Sequence, residues 1–315
     1  MKWWVKWGIS YSLAHLPGGH KLYQEVLRRF GELADVSTST RFENAATLLK
    51  MAHFWCNPMH QLRVVELGTG WIPAVPLGFA LAGSRVETFD VSRLAADDLF
   101  IKTRNIIENE KGAGLASAAG ISHFEFKSRL RRIEKTEGLD EALRVLGGRY
   151  RAPMDTASLP FNDGEIDLVI SNLVLQCIPK ESLPAVLSES WRILKPGGFA
   201  LHRIRMSDEY APIGSGRNHL EYLKYSEQHW NRWFNHSLKH LNRLRANQFL
   251  DLFRKSGFHC LECRRHIDRD SIPFLKQLKL APPFQGMEWE ELATIGIDVA
   301  LQKSSSFPPE SGKTV

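Results

Sequence analysis

Arg63-Val64-Val65-Glu66-Leu67 is a short β-branched run that closes on Gly68-Thr69-Gly70, and twenty residues past that turn Asp90 ends a second extended run, Arg85–Asp90. Between the two lies a helical stretch opening near Pro73, a residue suited to a first helical turn. A strand, a glycine turn, a helix and a parallel strand ending in an acid form a βαβ unit, whose open sheet binds ligands at the carboxyl edge. Few other folds accommodate this order of features.

The same rhythm continues along the chain. Ser92–Glu110 reads as a helix, and Lys111–Gly120 reads as a Gly/Ala linker. Residues 122–147 read as charged surface helices, followed by an extended piece at Tyr150–Met154. Ile166–Ser171 is apolar throughout apart from Asp167 and Ser171, as suits a central parallel strand. A helix over 180–194 carries Leu183, Val186, Leu187, Trp191 and Leu194 on one stripe and stops at Pro196-Gly197-Gly198; Phe199–Arg205 is then a fifth strand. Helix 246–256 and strands Phe258–Arg264 and Ile295–Gln302 complete the pattern. The expected fold is α/β: a doubly wound, mostly parallel, seven-stranded Rossmann-like sheet, with an N-terminal helical cap and a helical insert after the fifth strand. The expected divisions are a cap at 1–62, a core at 63–205, an insert at 206–246, the rest of the core sheet at 247–303 and a disordered tail at 304–315. In the cap, Leu22, Val26, Leu27 and Phe30, and again Ala46, Leu48, Leu49 and Ala52, recur at helical spacing and read as helix.

A chain of 315 residues with 43% hydrophobic and 24% charged content can bury a sizeable core unaided, which excludes disordered, collagenous and coiled-coil classes. Four cysteines do not make a secreted disulfide scaffold, so a reducing cytoplasm is the expected compartment. Cys260 and Cys263 stand three apart on a strand, where they are expected to face opposite sides and to be structural. His229, His236 and His240 lack the His-Glu-x-x-His arrangement, and no metal site is expected. A net charge of +6 falls short of a nucleic-acid binder, and no nucleic-acid partner is expected. The basic clusters at Arg129, Arg131, Arg132, Lys135 and at Arg264, Arg265 read first as solvated faces, with an anionic substrate or membrane surface as the alternative. Trp3, Trp4 and Trp7 read first as packing a helix onto the core, with peripheral membrane contact as the alternative.

Glycines at the first strand end let a ligand approach the backbone, and Asp90 is placed to accept from ribose hydroxyls. NAD(P) and S-adenosylmethionine both meet that description. Against the dinucleotide, Pro73 replaces the third glycine, and Glu66 would set a second negative charge beside a pyrophosphate. A cation would welcome Glu66, and S-adenosylmethionine carries an ammonium and a sulfonium.

At this point the chain resembles the class I (Rossmann-like) S-adenosylmethionine-dependent methyltransferases, within them the ubiquinone/menaquinone-methylase-like superfamily. Glu66-Leu67-Gly68-Thr69-Gly70 resembles the motif that holds the methionine end of the cofactor, and Asp90, followed by Val91, the acidic ribose ligand. Asp155-Thr156-Ala157-Ser158-Leu159-Pro160-Phe161 is similar to the motif whose acid contacts the adenine amino group. Ile166 to Pro179 is similar to the next motif, with Asn172 at the cofactor-facing strand end, and Leu194-Lys195-Pro196-Gly197-Gly198 to the turn before the fifth strand. The resemblance implies methyl transfer from S-adenosyl-L-methionine, leaving S-adenosyl-L-homocysteine. Gly68-Thr69-Gly70-Trp71, Ser207-Asp208, Trp230 and Asn242-Arg243-Leu244-Arg245 also resemble a bacterial subgroup associated with glycan or envelope biosynthesis. A small-molecule or sugar hydroxyl is therefore the expected acceptor; methylation of nitrogen, sulfur or carbon, an NAD(P)-dependent oxidoreductase and a non-catalytic binding protein are the alternatives.

The insert is expected to stand over the cofactor pocket. Asp208 is accordingly the expected general base or acceptor-hydroxyl ligand, with His219 second. Arg243 and Arg245 read either as a clamp for an acceptor carboxylate or phosphate or as solvated helix arginines.

Overall fold

The computed structural model describes residues 2–31, 33–37, 40–211 and 216–304; most of the expected disordered tail lies outside them. The cap holds α1 (Trp3–Ala14), α2 (Gly19–Phe30) and α3 (Arg41–Trp55). The core follows as β1 (Arg63–Leu67), α4 (Ala74–Leu81), β2 (Arg85–Phe89), α5 (Asp97–Ile106), α6 (Gly112–Ala118), α7 (His123–Arg132), α8 (Leu139–Val145), β3 (Arg149–Arg151), β4 (Ile166–Asn172), α9 (Leu183–Ile193) and β5 (Leu194–Arg205). Then come α10 (Glu227–Trp233), α11 (Ala246–Lys255), β6 (Phe258–Ile267), α12 (Ile272–Gln277), α13 (Trp289–Leu292) and β7 (Thr294–Lys303).

The seven strands form one sheet in the order β3-β2-β1-β4-β5-β7-β6. The pairs from β3 to β5 are parallel, whereas β7 is antiparallel to both β5 and β6. Up to β5 this is the doubly wound order, with its switch point between β1 and β4. Strand alternation sends Val64, Val86, Leu168, Ile170 and Leu201 to one core, shared with the cap and α4–α8. It sends Val65, Leu67, Phe89, Val169 and Ala200 to the other, shared with α9 and α11. Leu48 and Leu49 of α3 are fully buried in the first core, each contributing about 1.5–3 kcal/mol of apolar burial.

Several expectations are corrected by packing. Lys111–Gly120 is no linker: a π-turn over Ile107–Lys111 runs into α6, because its alanines favour helix and Leu115, Ala116 and Ala118 are buried. In α2 the buried residues are Gly19, Tyr23 and Leu27, while Leu22 and Phe30 remain exposed. The helix that ends the α9 segment stops at Ile193, and β5 begins there, running through Pro196-Gly197-Gly198 with an irregular register against β4. Strand β6 carries a bulge between Cys260 and Glu262. The extra residue resets the alternation, so Cys260 and Cys263 pack against the same core rather than facing opposite sides.

The insert carries an apolar core of its own. Tyr210, Leu220, Tyr222, Leu223, Trp230 and Phe234 form a third core with Leu275, Phe284 and Leu292 from the segment between β6 and β7. Trp3 and Trp7 of α1 pack onto this cluster, and the Trp7 indole donates to the Trp233 carbonyl at 2.7 Å, while Trp4 stays exposed. Among the described residues no helix is long and apolar enough to cross a membrane.

Candidate active site

The carboxyl ends of β1, β2, β3, β4 and β5 deliver Gly68–Gly70, Asp90, the 152–156 loop, Asn172 and Arg205 to one edge of the sheet. Gly68 stands at φ +75°, and a Cβ there would meet the Val174 side chain at 2.5 Å, so only glycine serves. Gly70 also has positive φ (+69°), yet a Cβ on it would meet nothing within 4 Å. The turn is tight on one side and open on the other. The Gly70 N–H donates to Asp90 Oδ2 at 2.9 Å, so the acid at the end of β2 holds the glycine turn of β1. The Asp90 carbonyl accepts from Met154 N–H at 2.8 Å, which ties the 152–156 loop to the same point.

Glu66 and Thr88 pair side by side on β1 and β2, and the Thr88 hydroxyl donates to the buried Glu66 carboxyl. Thr69 Oγ1 lies 2.5 Å from the same hydroxyl. Burial pushes the Glu66 carboxyl up to about 8, the Thr88 bond pulls it down and Asp90 adds to the rise. Burial also raises Asp90, against the backbone donors of Gly70, Ser92 and Val91. Two carboxyl groups that resist ionising side by side would be relieved by a cation.

Other expected site residues fall around this centre. Val91, next to Asp90, is 70% exposed, an apolar surface of the kind a base stacks on. Asp155 is exposed and caps its own turn by accepting from Ala157 N–H at 2.9 Å, beside buried Thr156. Asn172 is buried, and its Oδ1 has no hydrogen-bond partner among the described residues. An orphaned acceptor beside the glycine turn is costly unless something donates to it.

The residues present fit S-adenosylmethionine: Asn172 Oδ1 and Glu66 for the ammonium end, the open face of Gly70 for the chain between, Asp90 for ribose hydroxyls, and Val91 with Asp155 for the adenine. The doubly wound sheet with a ligand edge at its switch point is of the class I, Rossmann-like kind. Residues 113–202 match the family model described as a methyltransferase domain. No curated protein matches the chain. Among solved structures the chain is similar to Haemonchus contortus phosphoethanolamine N-methyltransferase 2 in complex with S-adenosyl-L-methionine, at 15% identity and TM-score 0.47, over 90% of this chain and 60% of that one. It is also similar to magnesium protoporphyrin IX methyltransferase from Synechocystis with bound SAH, at 11% identity and TM-score 0.45, over 84% of this chain and 83% of that one. A third is a SAM-dependent methyltransferase from Methanosarcina mazei, at 13% identity and TM-score 0.45, over 81% and 97% of the two chains.

A cleft of about 320 Å³ adjoins the site, lined by Asp35 and Arg41 of the cap, Trp71 and Ile72 after the glycine turn, Leu173 after Asn172, and Arg205 at the end of β5. Leu173 is held at φ +58°, a left-handed conformation that costs a β-carbon residue about 1 kcal/mol or more. Its N–H donates to the Arg203 carbonyl at 2.8 Å, which fixes that turn.

The residues expected to carry acceptor chemistry are elsewhere. Asp208 does not line the cleft: it is buried in an ion pair with Arg217 at 3.1 Å, and its Oδ1 accepts from Tyr210 N–H. Burial pushes its carboxyl up against the pull of Arg217. His219 Nε2 sits 2.9 Å from Asp268 Oδ2, also away from the cleft wall. Arg245 is neither clamp nor solvated arginine: fully buried, it donates to the carbonyls of Met206, Glu291, Leu292 and Thr294 and to the Tyr222 hydroxyl. Arg243 likewise donates to the Tyr222 and Tyr225 carbonyls. Sequence reasoning passed over Asp35, Arg41, Leu173 and Arg205, and it met Trp71 only as part of a motif. For Trp71 and Leu173 the signal was present, since each directly follows a cofactor residue; the cap residues carried none.

Proposed function

We propose that the protein transfers the methyl group of S-adenosylmethionine to a hydroxyl of a small-molecule or sugar acceptor seated in the cleft between the cap and the sheet edge. The observation that carries this reading is the continuity of the cleft with the cofactor turn: Trp71 directly follows Gly70, and Leu173 directly follows Asn172. The displacement is in line, from sulfur to oxygen, so the walls need only align the acceptor and exclude water. A hydroxyl must also lose its proton. Asp35, whose Oδ1 is pinned by the Ser37 N–H at 3.0 Å and the Ser37 hydroxyl at 2.6 Å, is the carboxylate that the cleft wall offers for this.

The test is SAH release measured against a panel of hydroxylated small molecules, sugars and phosphosugars, beside amines and thiols, with the methylated atom located by NMR. A methyl carbon bonded to oxygen supports the reading. Turnover only on amines, thiols or carbon acids, or only on macromolecules, overturns it.

A further inference from the structure

Glu66 is sealed from solvent, so it acts on a ligand through its neighbours. It is 1% exposed, Thr88 beside it on β2 is fully buried, and Thr69 is 7% exposed. The Thr88 hydroxyl donates to the Glu66 carboxyl and lies 2.5 Å from the Thr69 hydroxyl, with either of the two as donor. The Gly68 and Thr69 N–H groups both donate to the Phe89 carbonyl, at 2.7 and 3.3 Å, which fixes the glycine turn beside Thr88. Three side chains thus form one line, from the buried carboxyl to the residue between the two glycines of the turn.

A hydroxyl has a single proton and donates in one direction at a time. With Glu66 ionised, Thr88 donates to the carboxylate and Thr69 donates to Thr88, so the Thr69 oxygen offers a ligand only lone pairs. With Glu66 protonated, the carboxyl donates to Thr88, Thr88 donates to Thr69, and the Thr69 proton is free for a ligand. The line therefore has two polarities, selected by one proton. Among the described residues Thr88 is the one donor to the Glu66 carboxyl. The charged group that acts on Glu66 is Asp90, which opposes its ionisation. Ile170 flanks Glu66 on β4, α4 has no titratable residue and the buried residues of α3 include none. Tyr150, beside Thr88 on β3, accepts the Leu94 N–H with its hydroxyl, and burial raises it above its ordinary value, so it stays neutral.

We propose that Thr88 is a positioning residue which, through Thr69, ties the ionisation of Glu66 to the charge of the group bound at the glycine turn and so selects the ammonium end of the cofactor. The inference rests on the cofactor reading of this site and adds how the buried acid is felt at its surface. When the ammonium binds, Glu66 passes its proton to Thr88, Thr88 passes its own to Thr69, and the Thr69 proton leaves to water. Both hydroxyls are restored with reversed direction, the carboxyl becomes a carboxylate, and one proton is released. In a buried site this hydrogen-bonded line carries the attraction with little screening.

Thr88→Val removes the hydroxyl at nearly constant volume, Thr69→Val cuts the line one step further out, and Thr88→Ser keeps it. SAH, and SAH lacking its amino group, are titrated into all four proteins by calorimetry in buffers of different ionisation enthalpy. The Glu66 carboxyl is followed by carbon NMR in the ligand-free proteins. Wild type and Thr88→Ser are expected to release close to one proton near neutrality with SAH, and both valine variants less than about a third of one. SAH affinity should fall about tenfold in the valine variants, while the ligand without the amino group binds all four within about twofold. Undiminished proton release in either valine variant overturns the proposal. An equal loss of affinity for both ligands also overturns it, since the threonines would then only pack, as does failure of Thr88→Ser to restore the release. Should Thr88→Val not fold, Thr69→Val decides by the same readings. A wild type that binds neither ligand removes the cofactor reading instead, and the NMR titration then tests the line by itself: a Glu66 carboxyl that titrates alike in wild type and the valine variants overturns it.

Discussion

Asp208 and Arg217 form an ion pair at 3.1 Å with both side chains sealed from solvent, and the Arg217 guanidinium lies 4.5 Å from the ring centroid of Trp3. The charge pair lies wholly within the insert, and the first helix of the cap covers it with Trp3. Its angles admit no good hydrogen bond between the two, so the attraction is mainly Coulombic. A carboxylate spent in this way is structural.

Removing one partner of that pair leaves a buried charge uncompensated. Asp208→Ala and Arg217→Met are each expected to lose about 3–5 kcal/mol of stability, and the double variant less than the sum of the two. Chemical denaturation of the three proteins checks it. A stable Asp208→Ala protein that binds SAH normally yet has no turnover would return Asp208 to the chemistry.

Glu66 makes cofactor binding depend on pH. Its carboxyl lies near 4.5 when the chain is unfolded and about 8 when folded without a cation nearby. The folded state therefore holds the extra proton between those values. The stability Glu66 contributes is full below about 4.5 and is lost as pH rises towards 8. A cationic cofactor lowers the Glu66 carboxyl, so binding should release close to one proton near neutrality. SAH affinity should rise with pH, by at most about tenfold per unit. Calorimetry in buffers of different ionisation enthalpy reads the proton directly, and Glu66→Gln should abolish its release.

Asp90 holds the Gly70 amide, and the expected cofactor pose gives it the ribose hydroxyls as well. Asp90→Ala is expected to weaken SAH binding by about 10- to 100-fold, corresponding to a lost charged hydrogen bond of about 1.5–3 kcal/mol. Titration calorimetry alongside circular dichroism distinguishes this from unfolding. Unchanged affinity would place the ribose elsewhere.

Arg245 staples the insert to the start of β7 through four carbonyls and a hydroxyl. Lysine reaches fewer of these acceptors and orphans the rest. Arg245→Lys should cost at least about 3 kcal/mol, lowering the melting temperature by roughly 10 °C. A differential scanning measurement suffices.

The cofactor half of the site was legible because it is local. Gly68 and Gly70 answer to backbone dihedrals, and Asp90 sits at the end of the next strand, so spacing alone places it opposite the glycine turn. Strand parity predicted most of the sheet in the same way and failed at Cys260, where one inserted residue reverses it. Helix periodicity found α2 but not its covered face, since Leu22 and Tyr23 are adjacent on the spiral and only the neighbouring elements decide which is covered.

By itself the sequence determined the doubly wound core, the glycine turn and the acids at the strand ends, since each follows from residue type, period and spacing over fewer than thirty residues. The tertiary structure alone decided that Asp208 is sealed against Arg217 and that Arg203 binds Asn44 across 159 residues of chain. The physical reason is that a charged side chain's role depends on what desolvates and pairs it, and those partners come from segments whose separation in sequence carries no signal of their meeting.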